Sequence, residues 1–291
     1  MLQQDGMLRA QGKWVFTFYD AQGRVTVEGI GMVDETSVQS STANAVFCGT
    51  GGFLGSGYDV SGMDITEEGA QLLKVNYYDN YLFLRLDGVP LGLAYAPEEG
   101  YDARFDGSSA GKGRLTGTRD FGAGIVAGAA SEVASGVASK TVSKTIPTVS
   151  LSSALYYDAE GRLVQQRACN LLGGIDTDCF VYSFSGQTLK HKHTQTTAGG
   201  TAQTEVYSYA YDHAERVTEV RHQLNALPEV LLLKNSYDEL GRIRTGIFHG
   251  SACNTTYSYN TRSLLTGVDA GKFAQSLYYT DGYGTPCYNG I

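Results

Sequence analysis

The strongest constraint on the fold of this chain is a six-residue motif, Tyr-Asp-x-x-Gly-Arg, that recurs along it. It reads YDAQGR from Tyr19, YDAEGR from Tyr157 and YDELGR from Tyr237, with a variant, YDHAER, from Tyr211 and a decayed copy, YNTRSL, from Tyr259. An active site is needed once and draws its parts from separate places in a chain, whereas a copied motif marks a structural unit that is stacked. The motif therefore predicts a repeat protein.

In the C-terminal half the motif recurs at intervals in the twenties. Its aspartate position falls at Asp158, at Ser185 within the decayed segment FSGQTL, and at Asp212, Asp238 and Asn260. Such a period suits two strands and two turns per unit.

Each motif has the chemistry of a hairpin corner. An aspartate directly after a strand accepts hydrogen bonds from the N–H groups of the turn, and a glycine three residues later takes the positive φ that completes a type I turn with a bulge. Upstream of one copy, Tyr207, Tyr209 and Tyr211 alternate as residues on one face of a strand do. The predicted corner residues are Tyr19, Asp20, Gly23, Arg24, Tyr157, Asp158, Gly161, Arg162, Tyr211, Asp212, Arg216, Tyr237, Asp238, Gly241 and Arg242.

The arginine of each motif opens the return strand. There it could lie over a tyrosine ring or reach an acidic residue of the next unit, which would tie stacked hairpins together. Glu215 replaces the glycine in YDHAER, so that corner must either strain a non-glycine residue or adopt another turn. We expect it to be the least regular corner.

Composition agrees with strands joined by tight turns. The 291 residues include 37 Gly and 20 Tyr but 5 Pro, which favours a mostly β protein over a helical bundle. We expect successive antiparallel β-hairpins that form a twisted strip or part of a β-shell. We divide the chain into an N-terminal β region (1–103), a Gly/Ala/Ser-rich linker or irregular insertion (104–150) and a strip of repeats (151–291).

Charge and hydropathy limit the classes of partner that the chain is expected to bind. A net charge of −8 without a basic run gives no reason to bind nucleic acid. No stretch of uninterrupted apolar residues is long enough for a membrane span, so no membrane insertion is expected. The first residues, MLQQDGMLRA, lack the layout of a signal peptide, and we expect either a cytosolic protein or a piece of a longer exported chain.

Metal, thiol and phosphate chemistry give weak signals. His191 and His193 would share one face of a strand and are weak metal candidates, but no third ligand is placed nearby by the sequence, and no metal or cofactor is predicted.

Five cysteines without a CxxC are too few for a disulfide scaffold, although Cys169 and Cys179 could pair across a hairpin. The segment GSSAGKG from Gly107 fails as a phosphate-binding loop, because its spacing is one residue short and Gly113 replaces the required Ser or Thr.

The residues of the motif resemble those of the YD-repeat or RHS proteins, whose signature is this corner at spacings in the twenties. The resemblance covers Tyr157 to about Tyr279, and KWVFTFYDAQGRV and LLKVNYYDNYLFL are similar to the segment that precedes RHS cores in large bacterial envelope proteins. Such strips wind into a hollow β-shell around a C-terminal toxin or effector domain.

The resemblance implies a non-enzymatic structural segment of a longer polypeptide, extracellular or in the cell envelope, without catalytic residues of its own. Its partners would be the remaining repeats and the C-terminal domain of that polypeptide. The repeats continue to near Tyr279 without a closing cap, so we expect exposed strand edges and self-association. Two alternatives stay open: a surface module that binds glycans or cell-surface proteins through Tyr-rich faces, and a hydrolase with an unrecognised site.

Overall fold

The structure, a computed structural model, describes residues 1–34, 44–107, 110–122 and 150–279. It is nearly all β, with strands that belong to one long, mainly antiparallel sheet, as the sequence predicts. The chain divides into two compact units, residues 1–177 with 195–201, and residues 178–194 with 202–291. The predicted domain boundaries at 103/104 and 150/151 both fall inside unit 1.

The described ranges of unit 1 contain strands β1 to β9 and one short α-helix. The strands are β1 (Leu2–Gln3), β2 (Trp14–Tyr19), β3 (Val25–Val33), β4 (Asn44–Phe47), β5 (Tyr58–Ser61), β6 (Ile65–Tyr78), β7 (Leu115–Phe121), β8 (Ser150–Tyr157) and β9 (Leu163–Cys169). Helix α1 (Gly6–Ala10) begins after Asp5, whose side chain accepts a hydrogen bond from the Leu8 N–H. Single turns of 3₁₀ helix lie at Phe53–Gly55, Leu82–Arg85 and Leu91–Leu93.

The strands of unit 1 are ordered β1-β2-β3-β6-β7-β8-β9, and each is antiparallel to its neighbour. The β4–β5 hairpin joins β2 through one parallel pair, Tyr19 with Asn44. Strand β7 lies in the range for which a linker or irregular insertion was predicted, so that part of the range is regular sheet. The Ala- and Gly-rich stretch 123–149 lies outside the described residues.

Unit 1 has a core of aromatic side chains. Phe16, Phe18 and Phe53 pack edge to face with ring centroids 5.7 to 6.1 Å apart. Tyr77 stacks on Phe83 at 4.6 Å, and Phe83 comes from the segment that joins β6 to β7. That segment therefore covers the sheet with a second layer, and burial of its apolar side chains stabilises unit 1.

Up to residue 279, where the described part ends, unit 2 consists of strands and a 3₁₀ turn at His249–Ser251. Its strands are β10 (Ile175–Tyr182, from Asp178), β11 (Thr188–Thr196, to Thr194), β12 (Ala202–Tyr211), β13 (Val217–Leu224), β14 (Val230–Tyr237), β15 (Ile243–Phe248), β16 (Cys253–Tyr259), β17 (Leu265–Asp269) and β18 (Ala274–Ser276). From β12 to β18 each strand pairs antiparallel with the next.

Few side chains of unit 2 are buried. Among its described residues the buried positions are Cys179, Gly246 and Thr255, and most others are half-buried. The described part of unit 2 thus has no second layer comparable to that of unit 1, so contacts between neighbouring hairpins must supply much of its stability.

Candidate functional site: a ladder of hairpin corners

The motifs fold into the predicted corners. At the Tyr157 motif, the Asp158 N–H donates to the Arg162 carbonyl (3.0 Å) and the Gly161 N–H donates back to the Asp158 carbonyl (3.2 Å). Gly161 has φ +88°, and the strand register shifts between Tyr156 and Tyr157 as a bulge requires. The same backbone bonds occur in the corners at Asp20, Asp212 and Asp238.

The aspartate of each corner binds the turn with one oxygen and the motif's own arginine with the other. Asp158 Oδ1 accepts from the Arg162 N–H (2.7 Å), and its Oδ2 accepts from Arg162 Nε (2.6 Å). The corresponding Nε–Oδ2 distances are 2.6 Å at Asp20 and 2.7 Å at Asp212 and Asp238. The hydrogen bond from the Arg216 side chain is the main reason why the pKa of Asp212 falls to about 2.

The arginine then reaches the following corner. Arg216 lies over the Tyr237 ring, 4.4 Å from its centroid, and Arg242 lies over Tyr259 at 4.7 Å. In unit 1, Arg24 lies over Tyr78 at 4.3 Å and also binds Asp79, with an Nη2–Oδ2 distance of 2.5 Å. Both contacts foreseen for the arginine therefore occur, and they join one corner to the next.

The tyrosine makes the return contact. The Tyr237 hydroxyl donates to the carbonyl of Val217, the residue after Arg216, at 2.7 Å, and the Tyr259 hydroxyl donates to the Ile243 carbonyl at 2.9 Å. Equivalent bonds run from Tyr78 to Val25, from Tyr157 to Leu115, from Tyr211 to Thr188 and from Tyr279 to Leu265. We call this series of arginine and tyrosine contacts the corner ladder.

One corner of the ladder escaped the sequence analysis because its motif is split. Tyr78 and Asp79 supply the first half, and Gly113 and Arg114 supply the second half after the 33 intervening residues 80–112, where other corners have two. The Asp79 N–H donates to the Arg114 carbonyl (3.1 Å), and Asp79 Oδ1 accepts from the Gly113 N–H (2.6 Å). A search for Tyr-Asp and Gly-Arg as separate halves would have found it in NYYDN and GKGRL.

The split corner also explains the GSSAGKG segment. Gly113 has φ +78° and fills the positive-φ position of the corner, and Arg114 lies 5.5 Å from the centroid of the Tyr157 ring. The glycines near Lys112 therefore serve a turn of the ladder.

The decayed corner is centred two residues earlier than predicted. Ser183, and not Ser185, takes the aspartate position: the Ser183 N–H donates to the Gln187 carbonyl (2.8 Å), and Ser183 Oγ accepts from the Gln187 N–H (3.0 Å). Tyr182-Ser183 thus stands for Tyr-Asp, with a hydroxyl in place of the carboxylate.

The expectation that the YDHAER corner is the least regular was wrong. Glu215 adopts φ +63° and keeps both backbone hydrogen bonds of the turn, at 3.0 Å each. In two other corners the glycine also leaves room for the preceding arginine, since a Cβ on Gly161 would overlap the Arg114 guanidinium and one on Gly241 would lie 2.9 Å from Arg216 Nη1. The corner before Glu215 has Gln187 in the arginine position, so no guanidinium competes for that space.

The two histidines considered for metal binding share a carboxylate that the sequence analysis did not identify. His191 Nε2 and His193 Nδ1 lie 2.8 and 2.9 Å from the same oxygen, Oδ1 of Asp178 on the neighbouring strand. Burial alone would raise the pKa of Asp178, but hydrogen bonds from both rings bring it below its usual value. Throughout the described ranges, no group of three or more His, Cys, Asp or Glu is arranged to hold a metal ion.

A row of stacked rings continues from this cluster. Phe180 stacks on His191 at 4.7 Å with an interplanar angle of 3°, His191 lies 6.3 Å from Tyr207, and Tyr207 lies 4.7 Å from His222. The rings thus turn their faces towards one another along the row.

The cysteines form no disulfide in the part of the chain that the structure describes. Cys169 and Cys179 are both thiols, so the pairing considered across a hairpin does not form. Among the described helices, none is long and apolar enough to cross a membrane.

Comparison with known proteins adds weak similarities. No protein-family model matches the chain, and no curated protein matches it. Similar solved structures include a crystal structure of TcdB2-TccC3-Cdc42 and a structure of the Photorhabdus luminescens Tc holotoxin pore with a mutation in TccC3. Each match covers 88% of this chain at 12% identity with a TM-score of 0.24, and the chain spans 13% and 12% of the lengths of those two chains.

Proposed function

We propose that this chain is a structural segment of a YD-repeat protein whose corners hold successive hairpins in one strip. The observation that carries the proposal is the corner ladder. The arginine of one motif binds the tyrosine of the next, and that tyrosine binds the backbone behind the arginine. A contact that recurs between successive corners explains why the motif is copied.

The ladder matters most in unit 2. Its described part lacks a second layer, so few apolar side chains are fully removed from water. Corner contacts and strand pairing then supply cohesion that the aromatic core supplies in unit 1.

We propose further, from the resemblance to RHS proteins, that the strip is part of a shell around a C-terminal toxin or effector domain of the same polypeptide. That polypeptide would act outside the cell or in the cell envelope, and its other repeats would be the chain's partners. The half-buried faces of unit 2 support this proposal, since further parts of a polypeptide would complete their burial.

The proposed role is non-enzymatic. The corner carboxylates are engaged by backbone N–H groups and by their own arginines, which is a structural use. The stacked row also disfavours the glycan-binding alternative, because a sugar stacks on an exposed ring face and His191 and Tyr207 have neighbouring rings at their faces.

A double-mutant cycle tests the ladder. Arg216→Met and Tyr237→Leu should each destabilise unit 2, and the double variant should lose less than the sum, with a coupling of about 0.5 to 1 kcal/mol in urea denaturation followed by circular dichroism. Arg262→Met is the matched control, because Arg262 lies in a corner but outside the arginine position. Zero coupling between Arg216 and Tyr237 would contradict the ladder.

The proposal that the shell encloses a C-terminal domain needs a separate test in the whole polypeptide. Limited proteolysis should spare the C-terminal domain in the wild type and cleave it in a variant that combines Arg216→Met with Arg242→Met. Equal cleavage of the enclosed and the isolated domain would reject the shell while leaving the strip intact.

A further inference from the structure

Unit 1 contains a buried arginine that the corner ladder does not use. Arg119 lies on β7 with 6% of its surface exposed. Its Nη1 donates to the Gly55 carbonyl (3.4 Å), and its guanidinium lies 5.0 Å from the centroid of the Phe121 ring. No ion pair of Arg119 with a carboxylate occurs within the described ranges. A buried cation surrounded by neutral groups carries a large desolvation cost.

One donor of this guanidinium, Nε, is unused. Nε is buried and has no hydrogen-bond partner among the described residues. Nε and Nη2 together form the edge that carboxylates and phosphates bind with two oxygens. A Cβ at Gly88 would lie 3.2 Å from Nη2, so a larger residue at that position would crowd the guanidinium.

A second buried polar group lies beside it. Ser152 on β8 pairs in register with Arg119, so both side chains project from the same face of the sheet. Ser152 is 1% exposed, and its Oγ likewise has no hydrogen-bond partner among the described residues. Two unsatisfied buried groups on directly paired residues indicate a shared ligand.

The neighbouring phenol does not neutralise the guanidinium. The Tyr77 hydroxyl donates to the Ser56 carbonyl (2.8 Å), and burial raises the pKa of Tyr77 to about 12 although Arg119 acts in the opposite direction. Tyr77 is therefore neutral at physiological pH, and the positive charge of Arg119 stays uncompensated.

We propose that Arg119 and Ser152 bind a small oxyanion, a carboxylate or a phosphate. One of its oxygens accepts from Nε of Arg119, and the Ser152 hydroxyl donates to the same oxyanion. This site lies within unit 1 and does not depend on the shell.

The test is thermal unfolding of the whole chain, followed by the fluorescence of its one tryptophan, Trp14, in unit 1. Sodium phosphate and sodium acetate are titrated separately against sodium chloride at constant ionic strength. We expect a saturable rise in Tm with at least one oxyanion and none with chloride. Line broadening of the phosphate ³¹P signal gives an independent measure of phosphate binding.

Variants identify the site. Arg119→Lys keeps the charge but loses the Nε–H donor, and Ser152→Ala removes the hydroxyl, so each should weaken the apparent Kd roughly tenfold. Arg114→Lys is the control, because Arg114 serves the ladder, and it should keep wild-type affinity. If Arg119→Lys fails to fold, Ser152→Ala alone decides. No saturable shift in the wild type, or unchanged affinity in the Ser152 variant and in any folded Arg119 variant, would overturn the proposal.

Discussion

The motif needs glycine for two reasons, its positive φ and the room it leaves for an arginine. Two corner glycines in unit 1 allow these reasons to be tested separately. Gly23 and Gly161 have φ +77° and +88°, so alanine is strained at either position. A Cβ at Gly23 meets nothing within 4 Å, whereas a Cβ at Gly161 overlaps the guanidinium of Arg114. An alanine substitution at Gly23 therefore adds backbone strain alone, whereas one at Gly161 adds backbone strain and also removes a ladder contact.

The expected magnitudes follow from these contacts. The left-handed backbone costs an alanine about 1 to 2 kcal/mol, which is the whole effect expected for Gly23→Ala. Gly161→Ala must also push Arg114 from the Tyr157 ring, which forfeits about 0.5 to 1 kcal/mol. We therefore expect Gly161→Ala to destabilise unit 1 by about 1.5 to 3 kcal/mol. Gly161→Val or Gly241→Val should cost about 1 to 3 kcal/mol from the strain alone.

Urea denaturation followed by Trp14 fluorescence measures both alanine variants in the same unit. Adding Arg114→Met provides the control, since in that background Gly23→Ala and Gly161→Ala should become equally costly. Equal destabilisation in the wild-type background would refute the role of glycine in making room for the arginine. Unchanged stability in both variants would refute the corner itself.

Four further outcomes are expected. Glu215→Gly should stabilise unit 2 by about 1 kcal/mol in urea denaturation, because it relieves a non-glycine residue at positive φ; a loss of stability would contradict this. Hydrogen bonds from Arg216 and Arg242 are the chief reason why the pKa values of Asp212 and Asp238 are lowered, so the stabilisation from both is present above about pH 4 and declines at lower pH, for Asp212 as pH falls towards 2. The urea midpoint should fall over that range, and fall less when both aspartates are Asn. Chelator should leave stability unchanged and elemental analysis should find no stoichiometric metal, whereas a metal that is lost in His191→Ala would reverse this prediction. Sedimentation velocity should show self-association at high concentration through the strand edge near β18, and a monomer at every concentration would exclude it.

The corners were predictable because their chemistry is local. An aspartate after a strand and a glycine three residues later determine a turn without help from the rest of the chain, and Asp158 and Gly161 form the turn that their sequence predicts. The link from Arg216 to Tyr237 was foreseen as one of two possibilities, because the spacing of the motif does not reveal which neighbour the guanidinium reaches.

The contacts that the sequence did not predict involve residues that are far apart in the chain, or residues in which one hydrogen-bonding group replaces another. Asp79 and Arg114 are separated by the insertion, so a contiguous motif cannot contain them. Asp178 meets the histidines only through the pairing of two strands. Ser183 replaces a carboxylate with a hydroxyl, which keeps the turn but hides it from a search for aspartate. Likewise, the site proposed at Arg119 depends on what packs around β7, which sequence spacing cannot show.

The split corner between Asp79 and Gly113 has a practical consequence for protein engineering. An ordinary corner has two residues between these positions and this one has 33. Its ends are still joined, by the hydrogen bond from the Asp79 N–H to the Arg114 carbonyl and by the bond from the Gly113 N–H to Asp79 Oδ1. Lengthening a flexible loop by that factor costs about 2 to 3 kcal/mol in closure entropy, and the core packing of Phe83 and Leu93 offsets part of it here. The two variable residues of any other corner, such as Glu239 and Leu240, are therefore suitable points for grafting a peptide or a small folded domain. A series of such grafts would display foreign segments one hairpin pair apart along the strip.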